Sequence, residues 1–118
     1  MPQPASRPVG PYTPIVRAGE HLLVVSGQVG LAGGALVEGL EGQLRQALAN
    51  LSGLLEGEGA SLGDVVKTTV FLTSMGDYAE MNRVYVDVFG DHRPARSAVA
   101  VAALPLGALV EVEAWAWV

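Results

Sequence analysis

The sequence contains no cysteine, only two histidines, and just seven lysines and arginines against twelve aspartates and glutamates. Without cysteine there can be no disulfide, no thiol nucleophile and no cysteine-ligated metal. His21 and His92 are isolated, with no metal-ligand spacing around them, so surface or capping roles suit them better. A net charge of −5 with no basic run argues against nucleic acid as the main partner, because phosphate backbones need clustered Lys and Arg. No apolar stretch approaches membrane-spanning length, and the opening Met-Pro-Gln-Pro-Ala-Ser has no apolar signal-like core. These absences predict a soluble cytoplasmic protein with no membrane partner. Gly-rich phosphate loops and G-x-S-x-G elbows are also missing.

What the chain does have is apolar side chains. Half its residues are hydrophobic and only 16% are charged. A chain of 118 residues is long enough for one core and too short for two, so residues 1–118 are expected to form one domain. Alone it would bury only about two-thirds of its unfolded surface. The apolar excess predicts that further surface is buried between copies in a homo-oligomer.

Residues 1–11 hold four of the seven prolines and are expected to be extended. Tyr12 to Ala18 continues this to a turn at Gly19-Glu20, and His21 to Gln28 is a short apolar run that predicts a mostly buried strand. Gly33-Gly34 marks a hairpin between Leu31 and Ala35-Leu36-Val37. The period then changes: Leu44, Leu48, Leu51 and Leu55 predict an amphipathic helix over 41–59, stopped by Gly57 and Gly59. Ser61 to Asp64 connects it to a β-branched strand, Val65 to Thr73. Asp77, with Glu80 as a capping-box partner, opens a second helix whose stripe is Tyr78, Met81, Tyr85, Val88 and Phe89, ended by Gly90. Two strands close the chain, Ser97 to Leu104 and Leu109 to Val118, around a Pro105-Leu106-Gly107 turn. The order predicts an α+β layer, a mixed sheet with two helices on one face.

Arg96, at the entry to the penultimate strand, is the residue with the clearest chemistry. Its guanidinium carries a rigid fork of donors that matches a carboxylate with two parallel hydrogen bonds. On the last strand Glu111, Glu113, Trp115 and Trp117 share one face, and Val110, Val112, Ala114, Ala116 and Val118 the other. Because a short turn joins the two strands, Glu111 and Arg96 are expected to share a region of sheet. Glu111 and Glu113 can be solvated polar-face residues, one can pair structurally with Arg96, or Glu111 can do chemistry. Tyr12 can be a wall and donor for a small ligand, or a half-buried interfacial aromatic. Ser26-Gly27 can offer a hydroxyl and N–H groups to an oxyanion, or mark a bulge or close packing. Asn82 can reach a substrate or satisfy a backbone group.

Six segments occur together in order: Gly10-Pro11-Tyr12, Ser26-Gly27-Gln28, Val66 to Leu72, Met81-Asn82-x-x-Tyr85, Pro94-Ala95-Arg96-Ser97 and Val110 to Ala114. In this the chain, from about Val9 to Val118, resembles the reactive-intermediate deaminase (Rid, or YjgF/YER057c/UK114) family. The resemblance implies a chorismate-mutase-like fold, a homotrimer built as a barrel of sheets, and clefts between subunits. It implies hydrolysis of 2-iminoacids and their enamine tautomers to 2-ketoacids and ammonia, with no cofactor and no metal. It implies that Arg96 clamps the substrate carboxylate and Glu111 positions the attacking water. Tyr12, Ser26, Gly27 and Asn82 would complete a substrate-binding pocket drawn from more than one chain. The sequence departs from the family pattern at Ala98, where many members carry cysteine, at Thr13-Pro14, and at Ala100 and Ala103.

An imine carbon is already electrophilic, so a catalyst need only hold the carboxylate, aim one water and handle protons on the leaving nitrogen. The competing expectation is a trimer that binds ketoacids in the same clefts without catalysis, for which Arg96 alone would suffice. A ribonuclease is disfavoured by the acidic balance. Chorismate mutase, which shares the implied fold, would need several cations for its dicarboxylate.

Overall fold

The structure, a computed structural model, describes Pro8 and residues 10–118. The extended reading of residues 1–11 therefore falls mostly outside the described residues. Seven strands and two long helices follow: β1 Ile15–Ala18, β2 Leu22–Val29, β3 Leu31–Ala32, β4 Ala35–Leu36, α1 Leu40–Glu56, β5 Val65–Leu72, α2 Tyr78–Phe89, β6 Ala95–Ala100 and β7 Val110–Trp117. Five strands form one sheet in the order β1-β2-β7-β5-β6, antiparallel except for the parallel β5–β6 pair. The small β3–β4 hairpin turns at Gly33 and Gly34, both at positive φ, as the two-glycine signal predicts. This is the expected α+β arrangement, a mixed sheet with two helices.

The core forms where the helical and strand periods meet. Leu44, Leu48, Leu51 and Leu55 of α1 are completely buried, against Leu23 and Val25 of β2 and Val110, Val112, Ala114 and Ala116 of β7. Fully burying each such leucine is worth about 1.5–3 kcal/mol, so this stripe rather than local propensity holds α1 in place. The helix α2 adds Met81, Val84, Tyr85 and Phe89 to the same core. Gln43 and Asn50 are the polar anchors of α1. Gln43 Oε1 accepts the Leu109 N–H at 2.8 Å, and Asn50 Nδ2 donates to the Val29 and Leu31 carbonyls at 3.2 and 3.0 Å.

Three local expectations need correction. The capping box at Asp77 does not form: Asp77 makes no side-chain capping bond, and a 3₁₀ turn over Met75–Asp77, held by Ser74 Oγ accepting from Gly76 N, leads into α2. The strand expected over 97–104 is shorter and begins earlier, at Ala95. Its partner β5 ends at Leu72, whose carbonyl takes the Val101 N–H at 2.7 Å, and no further ladder remains for residues 102–104. Tyr12 does not sit in an extended stretch. Its N–H donates back to the Gly10 carbonyl at 2.9 Å, a tight bend around Pro11 before β1 begins.

The face of the sheet away from the helices carries Glu111, Glu113, Trp115 and Trp117, as the alternation predicts. Trp115 and Trp117 are 50% and 58% exposed, so large indole surfaces stand on the face that the helices leave uncovered. Among the described residues no helix is long and apolar enough to cross a membrane.

Candidate active site

The strand β2 changes phase halfway along. Val25 pairs with Ala114 and Gln28 with Val112, so Ser26 and Gly27 together stand opposite Glu113. That is a β-bulge, which inserts one residue and re-aims those that follow. Before it Leu23 and Val25 point into the helical core; after it Val29 stands opposite Glu111, beside Leu31 and Ala108 in a separate small cluster.

The bulge organises a cleft of about 460 Å³. Tyr12, Ser26, Gly27 and Glu111 all line it, together with Glu113, Trp115 and Pro14. Ser26 ties the incoming segment to the bulge through both of its donors. Its N–H bonds the Pro14 carbonyl at 2.8 Å, and its hydroxyl donates to the Thr13 carbonyl at 2.6 Å. The Ser26 proton is thus engaged in holding the Tyr12–Pro14 segment in place.

Gly27 is there because a carboxylate lies on top of it. A Cβ at this position would sit 2.5 Å from Glu111 Oε2, closer than any real contact allows. No Lys or Arg among the described residues lies within ion-pair distance of Glu111. Burial, and after it the charge of Glu113, hold the Glu111 carboxyl above its ordinary range. A carboxylate pushed up in this way, at the floor of a cleft, is suited to taking a proton from water.

Arg96 is elsewhere in the chain. Although a short connection joins β6 to β7, the strand β5 lies between them, so they are two spacings apart, about 10 Å. Arg96 pairs with Thr68, whose side chain is buried against α2, whereas Glu111 is on the opposite face. The expectation that Arg96 and Glu111 share one region of a single chain's sheet is therefore corrected, and Arg96 forms no ion pair with either glutamate. Asn82 also lies away from the cleft, on α2 beside Met81.

The surroundings of Arg96 are aromatic and neutral. Its Nη2 donates to the Tyr78 hydroxyl at 3.1 Å and its Nη1 approaches Met81 Sδ at 3.5 Å. The guanidinium carbon stands 4.9 Å from the Tyr85 ring centre and 5.6 Å from that of Tyr78. Tyr85 is itself fixed by a 2.7 Å hydrogen bond to the buried Thr68 hydroxyl, and burial holds its phenol above the ordinary range. The sequence marked Tyr78 only as part of an apolar stripe, and Met81 and Tyr85 as part of that stripe and of one family segment, with no hint that they surround Arg96. Glu113 and Trp115 were visible in the alternation that puts them on one face with Glu111, and Pro14 as a departure from the family pattern; the Asn50 wall had no sequence signal that would have found it.

The family model described as Endoribonuclease L-PSP matches residues 3–118. A RutC family protein of Pyrococcus horikoshii is 44% identical over 116 residues, 96% of this chain and 91% of the relative. The mouse 2-iminobutanoate/2-iminopropanoate deaminase is 43% identical over 109 residues, 90% of this chain and 80% of the relative. The crystal structure of RidA from the Antarctic bacterium Psychrobacter sp. superposes with a TM-score of 0.93 at 40% identity, covering 97% of this chain and 94% of that one. Sequence motifs, fold and these likenesses agree, and the chain belongs to the YjgF/Rid family.

Proposed function

We propose that this chain is an imine deaminase that hydrolyses small 2-iminoacids, such as 2-iminobutanoate or the imine of 2-aminoacrylate, to 2-ketoacids and ammonia. Water adds to the imine carbon, forming a C–O bond while the C=N π pair moves to nitrogen, which takes up a proton. The resulting carbinolamine then breaks its C–N bond, releasing ammonia and leaving the ketone. Glu111 orients the water and accepts its proton, then returns a proton to the leaving nitrogen. Arg96 holds the carboxylate through its fork. Tyr12 and the Gly27 main chain form the walls, and Asn82 lies on the Arg96 side.

The observation that carries this reading is the Glu111 carboxylate, with no cation partner among the described residues and with a raised pKa, lying across the main chain of Gly27 inside the cleft. The likeness to named deaminases supports it at the level of the family. Since Arg96 is on the other face of the same sheet, a second copy must supply it to each cleft. A homotrimer with sites between subunits meets that need, and the uncovered face bearing Trp115 and Trp117 is apolar enough to be buried in such an assembly.

The test is release of 2-oxobutanoate from 2-iminobutanoate generated in situ by threonine dehydratase. We expect Arg96→Ala to lower kcat/KM by about 100-fold or more, the worth of hydrogen bonds to a charged group. Arg96→Lys should not restore it, because a point charge lacks the fork. Full activity of Arg96→Ala removes Arg96 from the site, and full activity of Arg96→Lys removes the need for a fork. Ketoacid binding by the wild type with no acceleration of hydrolysis would instead leave a non-catalytic binding protein.

A further inference from the structure

We infer that Tyr78 is a further ligand-binding residue, its hydroxyl donating to the carboxylate that Arg96 holds. The inference rests on the reading of Arg96 as a carboxylate anchor and adds a second donor to it. Arg96 has no acidic partner among the described residues, whereas the arginines of the nearby α1–α2 surface do: Glu41 bonds Arg45 and Arg83 at 3.0 and 2.7 Å, and Arg45 bonds Asp87 at 2.7 Å. Its guanidinium is instead cradled by two aromatic rings and a thioether. Such a cradle orients a cation without neutralising it, which leaves its attraction for an anion intact.

Within the cradle the two phenols differ. Tyr85 is buried and its hydroxyl is engaged with Thr68 at 2.7 Å, so it is spent on structure. Tyr78 is 38% exposed, and its oxygen accepts from Arg96 Nη2 at 3.1 Å. A hydroxyl that accepts one bond still has its own O–H to donate. The bond to Arg96 polarises that O–H and fixes the oxygen beside the guanidinium. A carboxylate arriving at the outer edge of Arg96 thus meets a third donor next to the fork. Ketones and imines lacking the carboxylate gain nothing from it.

The experiment is titration of wild type, Arg96→Ala and Tyr78→Phe with 2-oxobutanoate and with its uncharged amide, by calorimetry, alongside the imine-hydrolysis kinetics. Phenylalanine keeps the ring over Arg96, so thermal stability should stay within experimental error of the wild type. The expected result is about tenfold weaker 2-oxobutanoate binding in Tyr78→Phe, with unchanged binding of the amide and a raised KM at constant kcat. Equal loss for acid and amide would mean a merely structural role and overturn the inference. If the wild type binds 2-oxobutanoate, Arg96→Ala does not, and Tyr78→Phe matches the wild type, Tyr78 alone is wrong. If Arg96→Ala binds as well as the wild type, or the wild type does not bind, the carboxylate-anchor reading fails and takes Tyr78 with it.

Discussion

Replacing Gly27 by alanine places a methyl carbon 2.5 Å from Glu111 Oε2 and 2.7 Å from its carboxyl carbon. Ordinary contact begins at 3.4 Å, so 3.4 − 2.5 = 0.9 Å is the displacement the carboxylate must make. The backbone of β2 need not move, because what the methyl meets is the end of a side chain. A misplacement of roughly 1 Å in a catalytic group can cost about 100-fold in rate. At about 1.36 kcal/mol per factor of ten this is roughly 2.7 kcal/mol of transition-state stabilisation. The expected outcome is therefore a kcat about 100-fold lower in the coupled imine assay, with the fold and the oligomeric state intact. The double variant Gly27→Ala/Glu111→Gln sharpens the point. If Gly27 acts through Glu111, the double variant should be scarcely slower than Glu111→Gln alone, since groups that act as a unit are not additive. Unchanged kcat in Gly27→Ala, or full additivity in the double variant, refutes the geometric reasoning.

Three further predictions concern pH and packing. Glu111 is raised by burial and by Glu113, so the native state holds its proton more tightly than the unfolded chain does. Its contribution is present below the unfolded value and is lost as pH rises through the folded one; Glu111→Gln escapes that loss. The stability of Glu111→Gln relative to wild type should accordingly be greater at pH 7 than at pH 4 by urea unfolding, while its turnover is lower; a difference of the opposite sign contradicts the burial argument. In wild type the acid limb of kcat against pH should lie above the ordinary glutamate range. In the core, Thr68→Val strips the buried Tyr85 hydroxyl of its 2.7 Å partner and should destabilise by about 1–3 kcal/mol. Adding Tyr85→Phe should recover much of this, because removing both partners leaves no orphaned polar group; a double variant as unstable as the single one would disprove it.

The fold was legible wherever a period was strong. The leucine spacing of α1, the two glycines of the β3–β4 hairpin and the alternation of β7 each name their element from local pattern alone. The candidate site was legible in its parts but not in its assembly. Ser26-Gly27 offered both a bulge and an oxyanion site, and only the register against Glu113 decides for the bulge. The placement of Arg96 against Glu111 misled because sequence proximity suggested strand adjacency. The sheet instead inserts β5 between them, a choice made by long-range packing and invisible to local periodicity. The missing cap at Asp77 has a local origin instead: Ser74 starts a 3₁₀ turn upstream that leads into the helix.

The bulge in β2 has a consequence for how such a site can vary. Because the floor beneath Glu111 is main chain, its contour is written in the number of residues between Val25 and Gln28 and in the lack of a side chain at Gly27. Most substitutions around it leave that contour alone. A one-residue deletion would remove the phase change, turn Val29 back toward the helices and carry the carboxylate's resting place with it. If Glu111 acts as proposed, the register of one strand, and not only the identity of its side chains, sets where the reacting carboxylate rests.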